Sequence, residues 1–270
     1  MITVDEFLTQ YFETKKNELE SKYPGIKLGY LVEQYCHFSK LSKDDYYFSG
    51  QNHFFENLEQ GVPFEYISNI SHFYRSSFYV DERVLIPRSE TEILVEDAIN
   101  WVNSHDKKEL NIAEVGIGSF ALGLSILIDA KKIIHFWGGD ISAEAMEVAQ
   151  VNLFRLKKKL SPAHEIKIEI SDRLEKTNAL FDLIVSNPPY IKEVEDRAGV
   201  HKQTHQFEPH LALYLPDQIF ESWFEDFFKD AHAKLNQNGM FMMEGHEDSL
   251  LQLKEIALKY FDKVTLKNDY

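Results

Sequence analysis

Residues 185–191 read Val-Ser-Asn-Pro-Pro-Tyr-Ile and close an apolar run, Leu180-Phe181-Asp182-Leu183-Ile184-Val185. Two consecutive prolines cannot donate to a sheet ladder, so a strand must stop there. A plain stop needs only a Gly or an Asp. An amide at a strand end followed by a rigid Pro188-Pro189 corner can hold a planar NH2 group, because the Asn187 oxygen and a proline carbonyl can each accept one of its hydrogens. Such a clamp points the nitrogen in one direction, which is the positional requirement of group transfer. Tyr190 can stack on the planar group or wall the pocket.

Two other strand ends carry candidate site residues. Glu114-Val115-Gly116-Ile117-Gly118-Ser119-Phe120 reads as a strand, a glycine turn and a helix start. Glycines there let the backbone approach a ligand and expose amide donors. A glycine turn of this kind is also a common tight connection. Gly138-Gly139-Asp140 ends the next strand, and Asp140 stands 22 positions after Gly118 (140 − 118). That spacing suits a carboxylate accepting from two ribose hydroxyls, with Ile141 beside it. Ser142 is the better cap for the helix that follows. The two pieces together point to a nucleoside-containing cofactor.

The elements that must position these residues alternate from about residue 110. Strands are expected at Leu110–Val115, Ile133–Trp137, Ile166–Ile170, Leu180–Val185, Met240–Glu244 and Lys263–Lys267, with helices at 119–129, 142–159, 218–235 and 247–260. This alternation predicts an α/β fold with a doubly wound, mostly parallel sheet, whose ligands bind beyond the carboxyl strand ends at the switch in strand order. Upstream, Thr3 and Glu6 form a capping-box pattern before a helical face of Val4, Phe7, Leu8, Tyr11 and Phe12. Pro24-Gly25 ends that helix, and Leu28–His37 and Ser42–Gln60 read as two more. Tyr66-Ile67, Phe73-Tyr74 and Phe78-Tyr79-Val80 read as strand pieces of a hairpin linker. An amphipathic helix carrying Ile93, Leu94, Ala98, Trp101 and Val102 follows. The expected division is a helical domain over 1–62, a hairpin linker over 63–88 and a catalytic domain over 89–270.

Asp and Glu number 44 against 29 Lys and Arg, a net charge of -15. That balance opposes a phosphate backbone, so a nucleic-acid partner is not expected. No apolar run approaches the ~18 residues of a membrane helix. The amino terminus lacks a signal-peptide pattern, and the single cysteine, Cys36, suits a reducing compartment, so the chain reads as cytoplasmic. His201, His205 and His210 are irregularly spaced, and no metal is expected.

Asn187-Pro188-Pro189-Tyr190 resembles the signature of S-adenosylmethionine-dependent methyltransferases acting on planar NH2 groups. Leu85-Ile86-Pro87-Arg88-Ser89-Glu90-Thr91-Glu92 resembles the segment before the catalytic domain in the HemK/PrmC family, the glutamine N5-methyltransferases of peptide-release factors. Gly61–Ile67, Ser171-Asp172, Phe207-Glu208-Pro209, Ala212-Leu213 and Glu244-Gly245 extend the resemblance from about residue 60 to the carboxyl terminus. It implies a Rossmann-like methyltransferase domain with S-adenosylmethionine as cofactor and a release factor's Gly-Gly-Gln loop as protein substrate. Asn187 to Tyr190 would hold the glutamine amide and Gly116 to Phe120 would line the cofactor's methionine end. Asp140 would take the ribose, and Asp172 and Arg173 would lie near the adenine. Arg88, Thr91 and Glu92 would cover the cofactor, although Thr91 and Glu92 could equally cap a helix start.

This chain departs from the family at Glu114, where Asp is usual, at Arg173, where an aromatic residue is common, and at Phe120, where a third glycine is usual. The Phe120 ring would either block the cofactor's methionine portion or turn into the core. These departures motivate a non-catalytic binding module as one alternative. A nucleic-acid adenine or cytosine N-methyltransferase is the other, because the same motif can hold a base's exocyclic amine.

Overall fold

The computed structural model describes residues 2–47 and 52–268. Helices α1 (Val4–Lys22), α2 (Leu28–Ser39), α3 (Asn52–Gln60) and α4 (Phe64–Ser68) precede a hairpin of β1 (Ser71–Phe73) and β2 (Ser76–Phe78). There follow α5 (Thr91–Ser104), β3 (Glu109–Val115), α6 (Ala121–Asp129), β4 (Ile133–Asp140), α7 (Ala143–Leu156), β5 (Glu165–Ile170) and β6 (Phe181–Ser186). The chain ends with β7 (Ile191–Lys192), α8 (Lys202–Phe207), α9 (His210–Leu213), β8 (Tyr214–Leu215), α10 (Phe220–Lys234), β9 (Leu235–Met243) and α11 (Leu250–Ala257).

The chain divides into two compact units. One holds the residues up to Ile70 together with His201–Phe207, and the other holds Ser71–Val200 and the residues from Glu208 onward. In the first unit the expected capping box forms: Glu6 N donates to Thr3 Oγ1 at 3.2 Å and Thr3 N donates to Glu6 Oε2 at 2.9 Å. Val4, Leu8, Leu31, Tyr35, Phe54 and Phe64 are buried together as its core.

Two expectations fail in this unit. The helix expected over Ser42–Gln60 is confined, among the described residues, to α3, and residues 48–51 lie outside them. Over 42–47 the Asp45 side chain accepts from Ser42 N at 2.7 Å while the Asp45 carbonyl accepts from Val4 N at 2.8 Å. The segment therefore serves a turn and an exposed helix-start donor, interactions that compete with helix for an Asp. Tyr66 and Ile67, expected as strand, lie in α4, where both amides donate to the Pro63 carbonyl at 3.0 Å.

The second unit is built on a five-stranded sheet of order β5-β4-β3-β6-β9. Every pairing in it is parallel. Strands covered on both faces need continuous apolar runs, and all six residues of β6 are buried. Helix α6 is apolar around its circumference and buries every residue from Ala121 to Leu127. The extended segment at Lys263–Lys267, expected as a strand, forms no ladder among the described residues. Lys267 is instead paired with Asp97 at 2.8 Å, and the sheet ends at β9.

The order reverses between β3 and β6, so their carboxyl ends lie side by side at the switch point. Val115 is paired with Ser186, whose hydroxyl donates to the Val115 carbonyl at 2.8 Å. A crevice at this point is where such sheets take their ligands.

Candidate functional site

The turn after β3 is fitted to the end of β4. Gly116 N and Ile117 N both donate to the Gly139 carbonyl, at 2.8 and 3.2 Å. The glycine pair that ends β4 is a packing requirement: a Cβ on Gly138 would press on Ile117, and one on Gly139 would overlap the Trp137 ring. Gly116 and Gly118 have φ of +73° and +48°, the left-handed region where a side chain is strained. A Cβ on Gly118 would meet nothing within 4 Å, and one on Gly116 would meet only the Asn187 carbonyl oxygen, at 4.0 Å. The switch point thus offers an open cradle of backbone with the Asn187 segment as its far wall.

Phe120 also has a positive φ, +65°. Its ring is fully buried and lies 5.2 Å from the Phe136 ring in the main core. Of the two directions open to it, the side chain takes the one into the core. Ser119 and Ile117 are buried beside it.

Glu114, near the end of β3, is buried, and its Oε2 has no hydrogen-bond partner. Burial pushes its carboxyl well above the usual carboxylate range; the Gly123 amide opposes this and the Asp140 charge adds to it. A Cβ on Gly123 would overlap the Glu114 carboxylate, Phe120 and Phe136, so α6 needs a glycine there to pass.

Asp140 holds the other side of the cradle. Its Oδ2 accepts from Gly118 N at 2.8 Å and its Oδ1 from Ser142 N at 2.9 Å, and burial raises its pKa against those bonds. An ionised carboxylate has about four acceptor sites, so both oxygens retain capacity for a ligand. Ser142 accepts from Ala145 N at 3.1 Å and caps α7 as expected. Ile141 is exposed beside Asp140.

The Ser171 amide donates to the Asp140 carbonyl at 2.9 Å, which brings Asp172 and Arg173 to the same strand ends. The Arg173 guanidinium is turned toward α10, 5.8 Å from the Trp223 ring and 4.0 Å from Asp230.

At the end of β6, Asn187 Nδ2 donates to Thr91 Oγ1 at 3.1 Å. Thr91 Oγ1 donates to Glu244 Oε2 at 2.6 Å, and the Tyr190 hydroxyl donates to Glu244 Oε1 at 2.8 Å. Three segments distant in the chain thus meet on one carboxylate, with Pro188 buried and Pro189 half-buried between Asn187 and Tyr190. Burial raises the Glu244 pKa, opposed by the Thr91 and Tyr190 hydrogen bonds, and burial likewise raises the Tyr190 phenol.

The other residues of the 85–92 segment are engaged elsewhere. Arg88 pairs with buried Glu208 at 2.6 Å, and Glu208 also accepts from Ile86 N at 3.1 Å. Glu92 accepts from Tyr74 N at 2.9 Å and so holds the turn between β1 and β2. Neither Thr91 nor Glu92 caps α5, whose N-cap residue is Glu90.

Sequence reasoning passed over Glu244 as a site residue, and it passed over Asn152. Asn152 is fully buried on α7; it accepts from Tyr79 N at 2.7 Å and donates to the Tyr79 and Ser119 carbonyls at 2.8 and 2.9 Å. A polar residue on the apolar face of α7 was the available signal.

Residues 91–207 match a family model described as a methyltransferase small domain. The release factor glutamine methyltransferase of Chlorobaculum tepidum is 32% identical over 227 residues, spanning 78% of this chain and 72% of that protein. The Flavobacterium psychrophilum enzyme of the same name is 32% identical over 218 residues, spanning 78% and 73%. The Shewanella oneidensis enzyme of that name is 34% identical over 216 residues, spanning 79% and 71%.

Proposed function

The chain belongs to the release factor glutamine methyltransferase family, and from that premise we propose that it methylates the side-chain amide nitrogen of a glutamine in a peptide-release factor. The methyl donor is S-adenosylmethionine, and the glutamine is that of the Gly-Gly-Gln loop. The observation that carries this reading is the position of Asn187 at the switch point, its carbonyl facing the open backbone of Gly116.

The residues fit the cofactor. Gly116 and Gly118 leave room that a side chain would fill, and both Asp140 oxygens keep acceptor capacity beside them. The Gly116–Phe120 backbone would line the cofactor's methionine end. Asp140 would accept from the ribose with Ile141 beside it, and Asp172 with Arg173 would border the adenine. S-adenosylmethionine supplies a methyl group already activated by its sulfonium. The protein's task is then to align the acceptor, since an amide nitrogen is a poor nucleophile whose lone pair is delocalised into its carbonyl. Asn187 Oδ1 and the Pro188 carbonyl each accept one hydrogen of the glutamine NH2, which directs the nitrogen across the crevice toward Gly116. Tyr190 walls the glutamine.

Phe120 and Arg173, the motives for a non-catalytic reading, keep their side chains out of the cradle, in the core and against Trp223. The net charge of -15 weighs against nucleic-acid substrates.

The test is incubation of the chain with S-adenosylmethionine and an unmodified release factor, followed by peptide mass mapping. The expected result is one added methyl group on the glutamine of the Gly-Gly-Gln peptide. Confirmed cofactor binding with an unchanged peptide would overturn the substrate.

A further inference from the structure

Resting on that reading, we infer that Glu244 is a positioning residue that sets, through the Thr91 hydroxyl, which end of the Asn187 amide faces the substrate. The inference comes from counting hydrogens. A threonine hydroxyl has one hydrogen and two acceptor lone pairs. Thr91 Oγ1 lies 2.6 Å from Glu244 Oε2, a carboxylate oxygen that only accepts when ionised, so the single hydrogen is committed there. Toward Asn187, 3.1 Å away, Thr91 can then only accept. The Asn187 group at that contact must be the NH2, and Oδ1 must be the end turned to the crevice.

Oxygen and nitrogen of an amide are nearly equal in shape, so packing alone does not choose between the two orientations. The choice matters chemically: with Oδ1 outward the site accepts from a substrate NH2, and with NH2 outward it repels one. The same carboxylate accepts from the Tyr190 hydroxyl at 2.8 Å. Glu244 therefore holds two side chains of the Asn187–Tyr190 stretch from behind. Thr91 is buried, and the pair spans 153 positions of sequence.

Replacing Glu244 by Gln converts one acceptor into a donor. If the new NH2 faces Thr91, the threonine hydrogen turns toward Asn187 and the asparagine amide inverts. If it faces Tyr190, the phenol loses its acceptor. A protonated Glu244 creates the same conflict. The groups facing Glu244 are Thr91, Tyr190, Glu90 and Arg88, and of these the two hydroxyls are the ones whose hydrogens it receives.

The test uses the full chain with S-adenosylmethionine and release factor, comparing Thr91→Ser, Thr91→Val and Glu244→Gln. Displacing an orienting group by about 1 Å can cost ~100-fold in rate, so Thr91→Val and Glu244→Gln are expected to lower kcat by ~100-fold while cofactor affinity stays within about twofold. Thr91→Ser, which keeps the hydroxyl, is expected to restore kcat to within about threefold of the natural chain. The acid limb of the kcat profile is expected above the ordinary glutamate value of about 4.3 and absent from Glu244→Gln. Unchanged kcat in Thr91→Val would overturn the proposal. So would equal losses in Ser and Val, or losses matched by weaker cofactor binding. If the natural chain leaves release factor unmethylated, the reaction reading fails, and the network is judged by NMR of isotope-labelled asparagine. The Asn187 side-chain NH2 signals should then shift in Thr91→Val, and unmoved signals in that variant would overturn the inference.

Discussion

The position a Cβ would occupy on Gly116 lies 4.0 Å from the carbonyl oxygen of Asn187. Two strand ends that are 71 residues apart (187 − 116) thus come within van der Waals reach of each other at the switch point. A methyl there would touch that oxygen in the space proposed above for the cofactor, and φ of +73° would strain any side chain there. Gly116→Ala is expected to weaken S-adenosylmethionine binding at least ~10-fold, with destabilisation of about 1 kcal/mol. Calorimetric titration and thermal melting check the two parts separately.

Phe120→Gly separates the two meanings of that position. The ring is fully buried against Phe136, so its removal is expected to cost about 3–5 kcal/mol, offset by about 1–2 kcal/mol from releasing a left-handed backbone. The net loss is expected at about 2–3 kcal/mol by denaturant unfolding. Cofactor affinity should be unchanged, because the ring does not enter the cradle. A gain in affinity would show that the ring obstructs it.

Asn152 joins α7 to Tyr79 and to Ser119 of the glycine turn by three hydrogen bonds in a dry environment. Asn152→Ala leaves a buried donor and two carbonyls unpaired, at an expected cost of about 2–3 kcal/mol. For a domain of this size that is a fall of roughly 5–10 °C in Tm. Asn152→Asp should be no better, since a carboxylate cannot donate to the two carbonyls.

Glu114 gives the chain a definite pH dependence. Its pKa is raised in the folded state by burial, with the Asp140 charge adding to the effect. A raised folded pKa means that the native state holds its proton more tightly than the unfolded state. The stabilisation is therefore complete below about 4.3, the ordinary value, and is lost as pH rises through the folded value. Melts of the cofactor-free chain at rising pH should show this decline, and Glu114→Gln should flatten it. Asp140, also raised, leaves a smaller slope of the same sign. An unchanged slope in Glu114→Gln would contradict the assignment.

The β-α alternation was legible because apolar runs of strand length and helical faces repeat with clear breaks; four strands of the sheet lie within three residues of expectation, and β9 begins five residues before the expected Met240. Asn187, Gly116 and Asp140 stood out as candidates for a related reason: each breaks the apolar pattern at or just after a strand end. Two of the three misplaced elements share a cause. Tyr66-Ile67 and Lys263–Lys267 are short, and a short segment takes the state its surroundings offer. Near Ser42 an aspartate's local hydrogen bonds outweighed helical periodicity.

By itself the sequence determined which strand ends break their apolar pattern with candidate site residues, since period and residue type are local properties. It could not determine the direction of the Phe120 ring, because a left-handed backbone serves either rotamer and only the space beside Phe136 decides. Nor could it identify Glu244 as the partner of Thr91 and Tyr190. Those contacts join residues 153 and 54 positions apart, and hydrogen bonds at such separation exist only once the fold has brought the ends of β6 and β9 together with the start of α5.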